Sequence, residues 1–191
     1  VLRFTDSLTG EKVDFVPREE GKASVYWCGP TVYDVPHLGH ARSTLAFDLL
    51  VRYLRWTGLD VTAVSNITDI DDKIINRAAD EGSNEPEVAS RYEATFIEQM
   101  DRLNVAHPDL RPRATEYVDR MVEVIGELVE REMAYTTDSG VYFDVDRLGE
   151  YGALVGRSVD DLREGRLGRR VTGMPGLHSI LNTRGVTQVH G

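Results

Sequence analysis

Cysteine is nearly absent: Cys28 is the only one in 191 residues, so the chain cannot close an internal disulfide. Lysine is scarce too. Lys12, Lys22 and Lys73 are the only three, and arginine supplies the other 19 of the 22 cations. No Asp or Glu follows Glu164, and no Lys follows Lys73. No apolar run approaches the length that spans a bilayer, which argues against a membrane helix. The opening "VLRFTDSLTG" lacks the basic start and apolar stretch of an export signal. With one thiol and no such signal, the expected compartment is the reducing cytoplasm. The formal charge of −10 argues against broad electrostatic binding of nucleic acid, and leaves room for a local basic groove.

What is present suits an ordinary globular chain: 41% hydrophobic and 28% charged residues, with enough length to bury a core without metal or disulfide. The charge is uneven. Residues 1–165 carry 18 Lys and Arg against 32 Asp and Glu, a formal −14; residues 166–191 carry four arginines and no acid, a formal +4. That last stretch, rich in glycine and poor in periodicity, reads as loop or disordered tail. It is either a plain basic tail or a segment of different origin, such as a truncation or shifted frame.

Upstream the patterns are clear. "LRFTDSLTGEKVDFVP" predicts a hairpin turning at Thr9-Gly10. "ASVYWC" predicts a buried strand. Residues 38–57 predict a helix with Leu45, Leu49, Leu50, Tyr53 and Leu54 on one face and Gly58 at its end. "DVTAVSN" predicts the next strand, so the three elements form a parallel βαβ unit with a right-handed crossover. "TDIDDKIINRAADEG" predicts a helix capped by Thr68 or Asp69 and ended by Gly82. Two long helices follow, over residues 86–103 and 115–131, the second with Val118, Met121, Val122, Ile125, Leu128 and Val129 on one stripe. A hairpin around Asp138–Gly140 comes next. The expected division is an α/β core at 1–82, a largely helical α+β insertion at 83–165 and a basic tail at 166–191.

Three places carry candidate chemistry. His37 and His40 flank Gly39 in "HLGH", where a strand gives way to a helix. A helix N-terminus offers free N–H groups and a positive dipole end, and glycine lets a ligand come close. Two imidazoles there can bond a phosphate; they can also simply cap the helix. Cys28 closes the first core strand and belongs to the same carboxyl edge, where ligands of open α/β sheets bind. It reads as a buried small hydrophobe, a nucleophile or a metal ligand. "NITDIDDK" again follows a strand and opens a helix, and Thr68 can point its hydroxyl into that crevice. Asp69, Asp71 and Asp72 look like a magnesium cluster, although acids in a first helical turn are more simply dipole partners. Trp27 and Trp56 read as core or surface packing.

Taken together, "VYWCGPTVYDVPHLGHAR", "AFDLLVRYLRWTGLDVTAVSNITDIDDKIINRA", "RPRATEY" and "GVYFDV…YGALVGRSVDDLREG" closely resemble the N-terminal part of bacterial cysteinyl-tRNA synthetases over about residues 1–165. The resemblance implies half of a class I, HUP-type Rossmann-like domain with parallel strands, plus a connective insertion. It implies ATP, with Mg2+, as substrate for making cysteinyl-adenylate, and tRNA(Cys) as acceptor. By position, His37 and His40 then look like catalytic, phosphate-contacting residues, and Gly39 like the place where adenine packs. Gly29, Thr31 and Thr68 look like contacts of the substrate cysteine, and Cys28 like the first ligand of a thiol-gripping zinc.

The chain also departs from that pattern. "MPGLHSIL" keeps Pro175, Gly176 and His178 of the family's zinc-bearing segment, but has Leu177 for its Trp and Leu181 at its Cys. The later zinc ligands have no counterpart, so weak zinc binding at most is expected. The family's Lys-Met-Ser-Lys-Ser loop cannot occur after Lys73. Two other readings stay open: a ligase joining cysteine to a glucosaminyl-inositol, and a half-domain that binds ATP, tRNA or a complementing chain.

Overall fold

The computed structural model describes residues 2–138, 140–156 and 179–181. They fall into two compact units: residues 17–118, and residues 2–16 together with the described residues beyond 118.

In the first unit, β3 (Lys22–Trp27), α1 (Leu38–Trp56) and β4 (Asp60–Ser65) make the expected βαβ unit. The strands are parallel and in register from Lys22–Asp60 to Trp27–Ser65. Period-two alternation explains their packing. Ala23 and Trp27 of β3 share the buried face with Val61, Ala63 and Ser65 of β4. Helix α1 covers that face, with the Trp27 ring stacked on Phe47 at 5.3 Å. Gly58, at φ 91°, reverses the chain between α1 and β4, a backbone state that costs glycine least.

The buried side of α1 carries Asp48, Val51 and Leu54. Leu45, Leu49 and Tyr53 of the expected face are exposed, at 40%, 69% and 41%. Burying a carboxylate is tolerable here because Asp48 accepts from Arg52 Nε at 2.8 Å and from the Ala106 N–H at 3.1 Å.

Beyond β4 the chain stays extended. Thr68 N–H donates to the Pro30 carbonyl, and Val32 N–H to that of Thr68. Residues 110–113 run alongside: Leu110 N–H donates to Ala63 O, and Ile67 N–H to Pro112 O. This pairing displaces the predicted cap. Thr68 and Asp69 lie in extended chain, and helix α2 (Asp72–Glu81) is capped by Asp71, which accepts from Lys73 N–H at 2.9 Å. Asp69 instead bonds Thr115, while Asp71 caps α2 and Asp72 stands in its first turn. Helix α3 (Glu85–Arg102) starts at the cap Asn84, with Pro86 in its first turn. The core joins Val32, Ile67, Ile74, Ala78, Val88, Ala89 and Tyr92.

The second unit begins with the predicted hairpin, β1 (Arg3–Thr5) antiparallel to β2 (Lys12–Asp14). Its turn is closed by Gly10 N–H to Asp6 O at 2.8 Å. Helix α4 (Val118–Glu130) follows a 3-10 turn at Ala114–Tyr117, and only Val118 of its predicted stripe is buried. Strands β5 (Ala134–Thr137) and β6 (Gly140–Phe143) form the second hairpin, with Tyr135 stacked on its partner Tyr142. Within the segment expected to be loop, Ser179–Leu181 forms β7, antiparallel to β6. Among the described residues, no helix is long and apolar enough to cross a membrane.

Candidate active site

The HLGH turn closes on itself. His37 is the N-cap of α1, with an extended backbone, and its Nδ1 accepts from the Gly39 N–H at 3.0 Å. His40 Nδ1 accepts in return from the His37 N–H at 3.1 Å. This is a capping box built from two imidazoles, whose rings lie 4.0 Å apart. An Nδ1 that accepts from a backbone N–H carries no proton. Each ring is therefore the Nε2–H tautomer when neutral, with Nε2–H left as a donor. Burial, and then the neighbouring His37, hold the His40 pKa below the ordinary 6.5. Glycine at 39 leaves room for this ring: a Cβ would lie 2.6 Å from His37 Cε1 and displace it. The space over Gly39 that glycine offers to a ligand is thus partly filled by the protein's own imidazole.

The carboxyl ends of β3 and β4 are joined by Asn66, a residue the sequence reading passed over. Its Oδ1 accepts from the Gly29 N–H at 2.9 Å and from the Tyr26 hydroxyl at 3.1 Å. Its Nδ2 donates to Thr68 Oγ1 at 3.2 Å. The Asn66 carbonyl lies so near Gly29 that a Cβ there would come within 1.5 Å of the oxygen. Thr31 and Thr68 form a parallel bridge just beyond. Gly29, Thr31 and Thr68 are thereby drawn into one edge. The single clue in the sequence was the Asn itself, a double-ended hydrogen-bonding side chain at a strand's end.

The loop from Cys28 to His37 is held to α2. Arg77 Nη2 donates to Asp34 at 3.0 Å and to the Tyr92 hydroxyl at 2.6 Å. Lys73 Nζ sits 5.2 Å from the Tyr33 ring centre. Arg77 and Asp34 lie 43 residues apart, so local spacing gave no sign of the pair. Glu81 binds both Arg77 and Arg91, and with Tyr92 it completes this network.

Zinc, expected from the resemblance, needs correction. Cys28 is exposed rather than buried, yet among the described residues no three His, Cys, Asp or Glu side chains converge to hold a metal. A zinc site takes three or four protein ligands, and a lone thiol does not make one. His178 lies outside the described residues. The residues described do not fit a zinc centre.

Residues 14–174 match the family "tRNA synthetases class I (C) catalytic domain". The cysteine–tRNA ligase of Oleidesulfovibrio alaskensis is 53% identical over 165 residues, which cover 86% of this chain and 34% of that protein. That of Pyrococcus furiosus is 46% identical, covering 86% and 35%. The chain thus spans about a third of the length of these relatives. Among solved structures, Mycobacterium tuberculosis methionyl-tRNA synthetase bound by methionyl-adenylate superposes with a TM-score of 0.55 at 22% identity, over 60% of this chain and 23% of that one. The Agrobacterium radiobacter K84 LeuRS, solved with tRNA and LeuAMS, gives 0.56 at 20% identity, over 70% and 18%. These likenesses establish the class I Rossmann-like fold. A domain match this long, beside relatives at this identity, decides the family: the chain belongs to the class I cysteinyl-tRNA synthetases.

Proposed function

We propose that the chain supplies one wall of a site that activates cysteine with ATP and passes the cysteinyl group to tRNA(Cys) in the cytoplasm. The observation that carries this reading is the mutually capped His37–His40 pair at the start of α1, in a chain half identical to cysteine–tRNA ligases. In activation, a carboxylate oxygen of cysteine attacks the α-phosphorus of ATP, and pyrophosphate leaves. Negative charge builds on the phosphate oxygens. The two Nε2–H groups are fixed donors for it and need no reorganisation. Adenine packs at the Gly39 turn, beside the His37 ring that fills part of the space over that glycine. Gly29 and Thr68, joined through Asn66, hold the aminoacyl end together with Thr31, which bridges to Thr68. Residues 83–165 serve as the connective insertion on the acceptor-stem side. Magnesium enters with ATP.

A second reading is a half-site that binds ATP and completes the reaction only with a complementing polypeptide; the matched residues cover 34% of the Oleidesulfovibrio alaskensis relative. Cysteine-dependent exchange of labelled pyrophosphate into ATP separates the two. Exchange that needs cysteine and falls in His40→Asn supports full activation. ATP binding without exchange assigns the chain to the half-site.

A further inference from the structure

The geometry points to Asn66 as a positioning residue that fixes the Thr68 hydroxyl as a hydrogen-bond donor toward the aminoacyl end of the ligand. The inference rests on the proposed site and adds a polarity to it. A backbone N–H can only donate, so the amide atom 2.9 Å from Gly29 N is oxygen. The Tyr26 hydroxyl, 3.1 Å away, gives the same oxygen its second donor. The other end of the Asn66 amide is then the amino group, which can only donate, and it faces Thr68 Oγ1 at 3.2 Å. Thr68 accepts there, and its own proton must point elsewhere. Among the described residues no acceptor takes that proton. Thr68 is half-buried, so its outward proton is open to an acceptor on the ligand.

Aspartate at position 66 would invert the arrangement. One carboxylate oxygen would still hold Gly29, and the other would draw the Thr68 proton inward. Asparagine is thus the residue that leaves Thr68 donating outward. The outward proton suits a group that accepts: the acyl oxygen or the sulfur of a cysteinyl moiety.

Calorimetric titration of the intact chain with AMP, cysteinyl-sulfamoyl-adenosine and its alanyl counterpart tests this. Asn66→Asp and Thr68→Val should each weaken the cysteinyl analogue about tenfold, the worth of one good hydrogen bond, with AMP affinity unchanged. The double variant should be no weaker than either single one, because both remove the same bond. Loss shared with the alanyl analogue assigns the acceptor to the acyl oxygen, and loss confined to the cysteinyl analogue assigns it to sulfur. A Gly29 amide that stays protected from hydrogen exchange in Asn66→Asp shows that the strand ends are intact. Equal weakening of AMP, additive losses, or no change in either variant overturns the inference. Wild type that binds AMP but not the cysteinyl analogue also overturns it. Wild type that binds neither overturns the proposed site as well.

Discussion

His37 and His40 cap the same helix through each other. His40 accepts from the His37 N–H at 3.1 Å, and His37 accepts from Gly39 at 3.0 Å. The arrangement commits both Nδ1 atoms to the backbone and both Nε2–H groups to whatever binds.

This commitment fixes a pH dependence. The His40 pKa is lowered from 6.5 in the folded chain by burial and then by His37. The unfolded chain therefore takes up the proton first as pH falls. The stability associated with neutral His40 is present in full above pH 6.5. It is lost as pH falls from there through the lowered native value. Thermal unfolding between pH 7.5 and 5 should show a steeper loss in wild type than in His40→Asn, which can still cap through its side-chain oxygen. Parallel slopes would contradict the capping role.

Two glycine substitutions should differ in sign. Gly39→Ala places a Cβ 2.6 Å from His37 Cε1, so the ring must swing away and lose its cap. The expected cost is about 1 kcal/mol, the usual worth of an N-cap. Gly126 lies inside α4 with nothing near its absent Cβ. Gly126→Ala should stabilise by ~0.5–1 kcal/mol through helix propensity alone. Urea midpoints of the two variants measure both.

Gly29→Ala should be the most damaging single methyl. Its Cβ would sit 1.5 Å from the Asn66 carbonyl oxygen, and backbone cannot yield as a side-chain tip can. Overpacking of this kind costs about 1–3 kcal/mol, and a shift of the β3 end should disperse the resonances of Gly29, Asn66 and Thr68 together.

Glu93 is a buried carboxylate that accepts from Arg113 Nε at 2.9 Å and Nη2 at 2.8 Å. That pair pins residues 110–113 beside β4. Glu93→Gln keeps the shape but loses the charge-assisted bonds, at a cost of about 1–2 kcal/mol because Arg113 stays half-exposed. Denaturant unfolding checks the loss, and earlier exchange of the Ile67 and Ala114 amides would place it at the pinned segment.

The local signals were legible where one element decides its own form. The βαβ unit, the Gly58 and Gly82 stops and both hairpins followed from periodicity and turn residues. The face of α1 followed only at Leu54, which is buried as expected. Its apolar stripe through Leu45, Leu49 and Tyr53 is real, but periodicity does not say which stripe a sheet covers. The cap of α2 moved to Asp71 because Thr68 is held in a ladder with Pro30 and Val32, a tertiary bond that no spacing rule contains. Asn66 and the Arg77–Asp34 pair were hidden for the same reason, since their partners lie 37 and 43 residues away. The zinc expected from the resemblance depended on a ligand set that the described residues do not assemble.

The most direct test follows the two imidazoles by nitrogen NMR while ATP is titrated into the intact chain. The Nε2–H tautomer should be observed for His37 and His40, and both Nε2 resonances should move saturably with ATP and far less with adenosine. Unmoved His37 and His40 resonances at saturating ATP, or equal shifts with adenosine, would contradict a phosphate-binding role for the turn.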